Sequence, residues 1–219
     1  MRVHSLRIAL QAAALALIFP GIAGASDFGR GHGHPKQSLH GKLTYCTGCH
    51  GRSAQGYFGY YTMPRLAGQT STYIENQLQA FAEQRRESQT SLRMGRVHGL
   101  SPAIRAALAG HFEDLDAKPL AGGPRQLVNQ GQKIYEEGLP DANVPACTAC
   151  HGPEAMGDGA NPRLAGQLYP YTVDVLTNWS KQRGQNAPSE DTSAVMGPIA
   201  QNLNKQQIEA VAAYLSYLK

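Results

Sequence analysis

This sequence predicts an all-α chain built from two copies of one small domain, on three observations. The hexapeptide PRLAGQ occurs at Pro64–Gln69 and returns 98 residues later at Pro162–Gln167. CTGCHG at 46–51 is answered by CTACHG at 147–152, and Met94 by Met196. After each hexapeptide apolar residues recur at helical spacing (Ile74, Leu78 and Phe81, then Leu176 and Trp179), and no strand alternation surrounds either cysteine motif. A period this long argues for two domains rather than a solenoid array.

The chain opens with Arg2 and Arg7, an apolar run from Ile8 to Phe19 broken only by Gln11, and the small residues Ala23-Gly24-Ala25. Residues 1–25 therefore read as a secretory signal peptide, with the periplasm as destination. An uncleaved anchor is the alternative, although the run falls short of the roughly 20 residues a bilayer span needs. Residues 26–36 read as a flexible N-terminal arm. The Gly- and His-rich segment from Asp27 to His40, with His32, His34 and His40, leaves weak metal binding as the other reading. A first domain over 37–117, a Pro- and Gly-containing linker over 118–126 and a second domain over 127–219 follow. Once Arg2 and Arg7 are removed, 18 basic side chains face 16 acidic ones, a near-balance that argues against nucleic-acid binding. Domains of under 100 residues bury limited apolar area and call for a staple: disulfides, a metal or a cofactor.

Four cysteines in an exported chain suggest two disulfides by default. A zinc ribbon would place its pairs about 15 to 20 residues apart, whereas Cys49 and Cys147 are nearly 100 apart, and a redox dithiol needs a βαβ setting. The residue after each pair decides among these. Cys46-Thr47-Gly48-Cys49-His50 and Cys147-Thr148-Ala149-Cys150-His151 are the attachment signature of c-type haem. Each cysteine would form a thioether with a former vinyl group while the adjacent histidine reaches the iron. The expectation is two covalently bound haem c groups that use every cysteine, with disulfides as the remaining alternative.

With its two haem motifs, repeated PRLAGQ, downstream methionines and a closing amphipathic helix in each half, the chain resembles the dihaem cytochromes c of the cytochrome c4 family. The resemblance covers nearly all of the mature length. It implies two tandem class I cytochrome c domains, each wrapped around one haem, and electron transfer in the periplasm toward a terminal oxidase. It also implies that the carbonyls of Pro64 and Pro162 accept the free ring N–H of His50 and His151, which orients an iron-binding ring and raises its basicity. Leu66 and Leu164 would pack on the porphyrin, and Arg65 and Arg163 would approach propionates, a surface cation being the alternative. Each hexapeptide then forms the proximal wall of a haem pocket. Gln84 and Arg85 match Gln182 and Arg183, with no separate function assigned.

A haem with only its proximal histidine has an open site, whereas a thioether in the sixth position makes an electron carrier of raised potential. Met63 adjoins Pro64 and Met156 lies five residues past His151, so both sit too near the proximal side. Met94 and Met196 remain, each shortly before the last helix of its half. Met196 precedes Gly197-Pro198-Ile199 and Leu203, as in the family. Met94 has no following proline, and His98 in the same loop is the alternative ligand, one that would give a haem of lower potential.

Ser101 with Pro102 and Asn204 with Gln207 mark the starts of the closing helices, and Leu203, Ile208, Val211 and Leu215 mark the buried side of the second. His111 stands where the other half has Tyr214, and is expected to be a packed core histidine on a helix that meets the N-terminal one. Tyr57, Phe58, Tyr60 and Tyr61 form an insertion absent from the second half. Extra core over the haem pocket is the favoured reading, a docking patch for a redox partner the other.

The reading as a whole is an electron carrier, not an enzyme, with both haems His/Met ligated. Its partners are redox proteins, namely an electron-donor complex and a terminal oxidase or reductase. A monomer is expected, and peripheral membrane association is left open. The rivals are a dihaem peroxidase or thiosulfate dehydrogenase with a labile first haem, and a haem sensor or electron-input subunit of a larger complex. The lack of a spare cysteine counts against the thiosulfate dehydrogenase.

Overall fold

The computed structural model describes residues 38–86, 94–183 and 193–219. The signal peptide and the arm with His32 and His34 lie outside the described residues. Among those described, helices supply the regular structure and β pairing is confined to isolated bridges.

The first half contains α1 (Leu39–His50), α2 (Ser71–Ala82), a 3₁₀ turn (Gly95–Gly99) and α3 (Pro102–Glu113). Short polar side chains start each helix by accepting an otherwise unpaired backbone N–H: Ser38 from Gly41, Thr70 from Tyr73, and Ser101 from Ile104 with Pro102 at the first helical position. Around Ile74, Phe81, Val97, Leu100, Leu108 and Phe112 these elements close one hydrophobic core. α3 packs on α1, and His111 on α3 is half-buried with its ring edge toward Phe112 at 5.6 Å.

The second half contains α4 (Val128–Glu137), α5 (Thr148–His151), α6 (Tyr169–Thr177), α7 (Trp179–Gln182), α8 (Ser193–Asn202) and α9 (Lys205–Tyr217). Asn204 and Gln207 form a reciprocal capping box at the start of α9. Leu203, Ile208, Val211 and Leu215 are buried, and with Ile134, Tyr135 and Val144 they form a separate core. Where α4 crosses α9, a side chain at Gly131 would collide with the Ala210 carbonyl and lie 2.8 Å from the Tyr214 Cβ, so only glycine allows this approach.

The aromatic insertion lies beside the first haem motif, where Tyr57, Tyr60, Tyr61 and Met63 line one pocket with Gly48 and Cys49. Tyr57 and Met63 exchange two backbone hydrogen bonds of 3.0 Å, and the same closure in the second half joins Asp158 to Asn161 at 3.0 and 2.9 Å. The added residues therefore extend the tip of a hairpin beyond the point where the chain meets its core. Met63 is buried and Tyr61 half-buried, while Tyr57, Phe58 and Tyr60 are exposed, Tyr60 by 94%. No helix among the described residues is long and apolar enough to cross a membrane.

Candidate haem-binding sites and the interface between them

Each half builds its site from the same loop. α1 ends at His50 and α5 at His151, and the following Gly51 and Gly152 turn the chain at φ of 86° and 78°. The Gly56 N–H then returns to the His50 carbonyl at 2.8 Å, and Gly157 to that of His151 at 2.9 Å. Ala54 and Ala155, fully buried and in the left-handed region at φ of 54° and 58°, each accept two N–H groups from the hexapeptide: Leu66 and Ala67, Leu164 and Ala165. This clasp draws the hexapeptide against the histidine. Nδ1 of His50 donates to the Pro64 carbonyl at 2.8 Å, and Nδ1 of His151 to that of Pro162 at 2.9 Å.

A carbonyl can only accept, so the proton sits on Nδ1 and the lone pair on Nε2. Burial pushes both imidazoles below their ordinary value of 6.5, against the opposing pull of the proline carbonyls, and the Arg86 charge lowers His50 further. At neutral pH both rings are uncharged and each offers one unshared nitrogen to a metal.

The cysteines are unbridged. Burial raises the thiol of Cys46, and that of Cys147 to about 11, the reverse of the lowered pKa that a redox dithiol needs. Among the described residues no three His, Cys, Asp or Glu side chains cluster closely enough to hold a metal ion by themselves. Leu66 and Leu164 are half-buried, each against its own core. Met94 packs on the first core with Cys46 and Leu66, whereas His98 is exposed. Met196 lies half-buried on α8, one turn before Ile199, which packs on the second core. Met63 is buried in its hairpin and Met156 is exposed.

Arg65 and Arg163 are not surface cations. Arg65 is 3% exposed and Arg163 8%. The Nε of each donates to the carbonyl of the residue two ahead, Ala67 at 2.8 Å and Ala165 at 3.1 Å. The Nη1 and Nη2 atoms of Arg65 are buried with no partner among the described residues, a donor pair suited to a carboxylate. Neutral imidazoles, unpaired thiols beside them and a buried guanidinium awaiting an anion all fit covalent haem.

The last residue of the hexapeptide has a role that sequence reasoning missed. Gln69 accepts from the Arg163 N–H at 2.7 Å and donates to the Arg163 carbonyl at 3.0 Å. Gln167 does the same with Arg65, at 2.9 and 3.2 Å. Thr70 adds a 2.6 Å bond to the Gly159 carbonyl. The two PRLAGQ segments are thus reciprocal halves of the domain interface as well as neighbours of the histidines. The match of Arg85 to Arg183 also needs correcting. Arg183 is buried at the interface, and its counterpart there is Arg86, since Gln84 takes a φ of 56° and shifts the chain by one residue. Arg85 pairs instead with Glu83 at 2.7 Å.

Residues 128–219 match the Cytochrome c family. Across 79% of its length the chain is 34% identical to the cytochrome c4 of Thiocapsa roseopersicina, covering 86% of that protein. The chain belongs to the cytochrome c4 family. Its fold is similar to that of reduced cytochrome c4 from Pseudomonas stutzeri, with a TM-score of 0.70 and 28% identity over 83% of this chain and 97% of that one. A thiosulfate dehydrogenase electron acceptor from Stutzerimonas stutzeri is 32% identical over 78% of this chain and 77% of its own. This c4-family cytochrome is thus an all-α dihaem electron-transfer protein of two class I cytochrome c domains, with covalently bound haem c.

Proposed function

We propose that this cytochrome carries electrons through two His/Met-ligated haems without performing chemistry of its own. Haem supplies the one-electron couple, and the chain supplies attachment, ligands and insulation. Cys46 with Cys49 and Cys147 with Cys150 form the thioethers, and His50 and His151 present Nε2 to iron. Pro64 and Pro162 hold those rings in one orientation and one tautomer. The reading rests above all on this paired geometry: two buried neutral imidazoles, each fixed through Nδ1. Met94 and Met196 fill the distal positions, and the exposure of His98 supports Met94 for the first haem. Leu66 and Leu164 line the porphyrin, and Arg65 and Arg163 receive propionates. Rigid ligation keeps reorganisation small as each iron changes charge.

Export by a cleaved signal peptide of residues 1–25 would place the carrier in the periplasm, with domains over 37–117 and 127–219 joined by 118–126. As a monomer it would take electrons from a donor complex and pass them to a terminal oxidase or reductase. The likeness to a thiosulfate dehydrogenase electron acceptor favours an oxidoreductase of sulfur compounds as one such donor. It supports the receiving side for this chain, consistent with all four cysteines lying in haem motifs.

The test is a ligand assignment on the exported protein. Its mass should exceed the polypeptide by two haems, and near-infrared magnetic dichroism should show methionine–iron charge transfer for both. A five-coordinate or bis-histidine iron, or turnover of thiosulfate or peroxide by the protein alone, would sink the carrier reading.

A further inference from the structure

Beyond the arginines of the hexapeptides, two more meet at the interface. Arg183, 6% exposed, donates from Nη1 to the Tyr73 hydroxyl at 2.8 Å and from Nη2 to the Tyr171 hydroxyl at 3.0 Å. Arg86, from the other half, donates from Nη2 to the same Tyr171 oxygen at 2.9 Å and from Nη1 to Gln77 at 2.7 Å. One phenol oxygen thus holds a guanidinium from each domain. Each guanidinium also stacks on an aromatic ring, Arg86 on Phe81 at 4.5 Å and Arg183 on Trp179 at 5.1 Å, which fixes its plane. The Nε atoms of both are buried and unpartnered.

Among the described residues, the groups acting electrostatically on this pair are one another and the phenols of Tyr73 and Tyr171. Against the upward push of burial, both guanidiniums pull the Tyr171 phenol below its ordinary value of 10. One shared phenol still cannot cancel two cations, and buried like charges short of an anion are costly. Planar guanidinium forks with free donors are suited to a carboxylate, and each haem brings two propionates. We propose that Arg86, Tyr171 and Arg183 form a carboxylate-receiving bridge between the domains, which takes a haem propionate and sets the reduction potentials of both haems through one shared pair of charges. This rests on the dihaem carrier reading. Besides burial, the Arg86 charge lowers the His50 imidazole and no arginine does so at His151, so a change at Arg86 is expected to act more on the first haem than on the second.

A cation near iron favours the ferrous state, which carries one positive charge fewer than the ferric. One charge about 10 Å away at an effective dielectric of ~20 moves that equilibrium by roughly tenfold, which is about 59 mV for one electron. The experiment is mediated redox titration of the haem-loaded full chain, with two haems counted by mass for every variant. Arg86→Gln should move the first haem toward the ferric state by about tenfold and the second by less. Arg183→Gln should shift both haems in the same direction, and Arg86→Lys, which keeps the charge, should stay close to the parent. Arg85→Gln, which removes the neighbouring cation that pairs with Glu83, is the control and should change neither haem. The proposal fails if both haems of fully loaded Arg86→Gln and Arg183→Gln titrate as the parent does. It fails equally if Arg86→Lys shifts as far as Arg86→Gln, because lost packing would then be the cause. A parent protein lacking haem mass or His/Met signatures would instead overturn the carrier reading, whatever the variants do.

Discussion

In the second domain α4 lies so close to α9 that Gly131 has no room for a side chain, and Tyr135 on α4 packs against Tyr214 with ring centres 5.6 Å apart. Tyr135 also donates to the Gly152 carbonyl at 2.6 Å, tying that helix crossing to the haem motif. The first domain does without this arrangement. There α1 runs directly into Cys46–His50, and His50 is its one fully buried residue. The second domain separates the two tasks, with α4 for packing and α5 for the haem motif, joined by a turn that the Leu139–Val144 bridge closes. One motif can therefore be held by protein packing in one copy and rely more on the haem itself in the other.

Opening each iron would break the comparison most sharply. Met196→Ala and Met94→Ala should each make one haem per chain bind carbon monoxide while the parent binds none, read from the reduced spectrum. If Met94→Ala stays inert and His98→Ala reacts, the first domain is bis-histidine and the two halves differ in ligation.

Packing comes next. Gly131→Ala should destabilise the second domain by about 3 kcal/mol, the upper range for overpacking. Gly48→Ala, which copies Ala149 at the matching place and meets nothing within 4 Å, should stabilise the first by about 0.5–1 kcal/mol through helix propensity. Calorimetry of the haem-loaded protein reads both, and equal sensitivity of the two halves would remove the contrast drawn here.

The interface should respond symmetrically. Gln69→Ala and Gln167→Ala each delete two cross-domain bonds and strand the backbone of Arg163 or Arg65, at about 1–3 kcal/mol per buried group left unpaired. Similar losses, with the melting transitions of the two domains drawing apart, are expected. The smallest effect belongs to the clasps. Ala54→Gly and Ala155→Gly relieve a left-handed alanine at the expense of chain entropy, for a net gain of about 0.5 kcal/mol or less. A loss at either would mean that the methyl group's packing outweighs its backbone strain.

Much of the site could be read from the residues because its parts are local. Two cysteines and a histidine at fixed spacing lie on one turn of chain, and the caps at Ser101 and Asn204 act over three residues. The signal for the interface was also present, in a glutamine that ends both hexapeptides. Its partner lies about 100 residues away, however, and no periodicity points that far. The Arg85 match followed sequence register, which has no means of showing that Gln84 turns to positive φ and puts Arg86 inward. Hydrophobicity marked the aromatic hairpin, but its place beside Cys49 is set by the Tyr57–Met63 closure, which no pattern in the residues announces.

The sequence by itself determined what this protein binds, since thioether attachment and ring orientation depend on groups a few bonds or one short loop apart. Only the tertiary structure decided how the two domains hold each other and where Arg86 and Arg183 meet across them. Those contacts depend on how two separately closed cores face one another, and that orientation is set by surfaces that meet only after each core has formed.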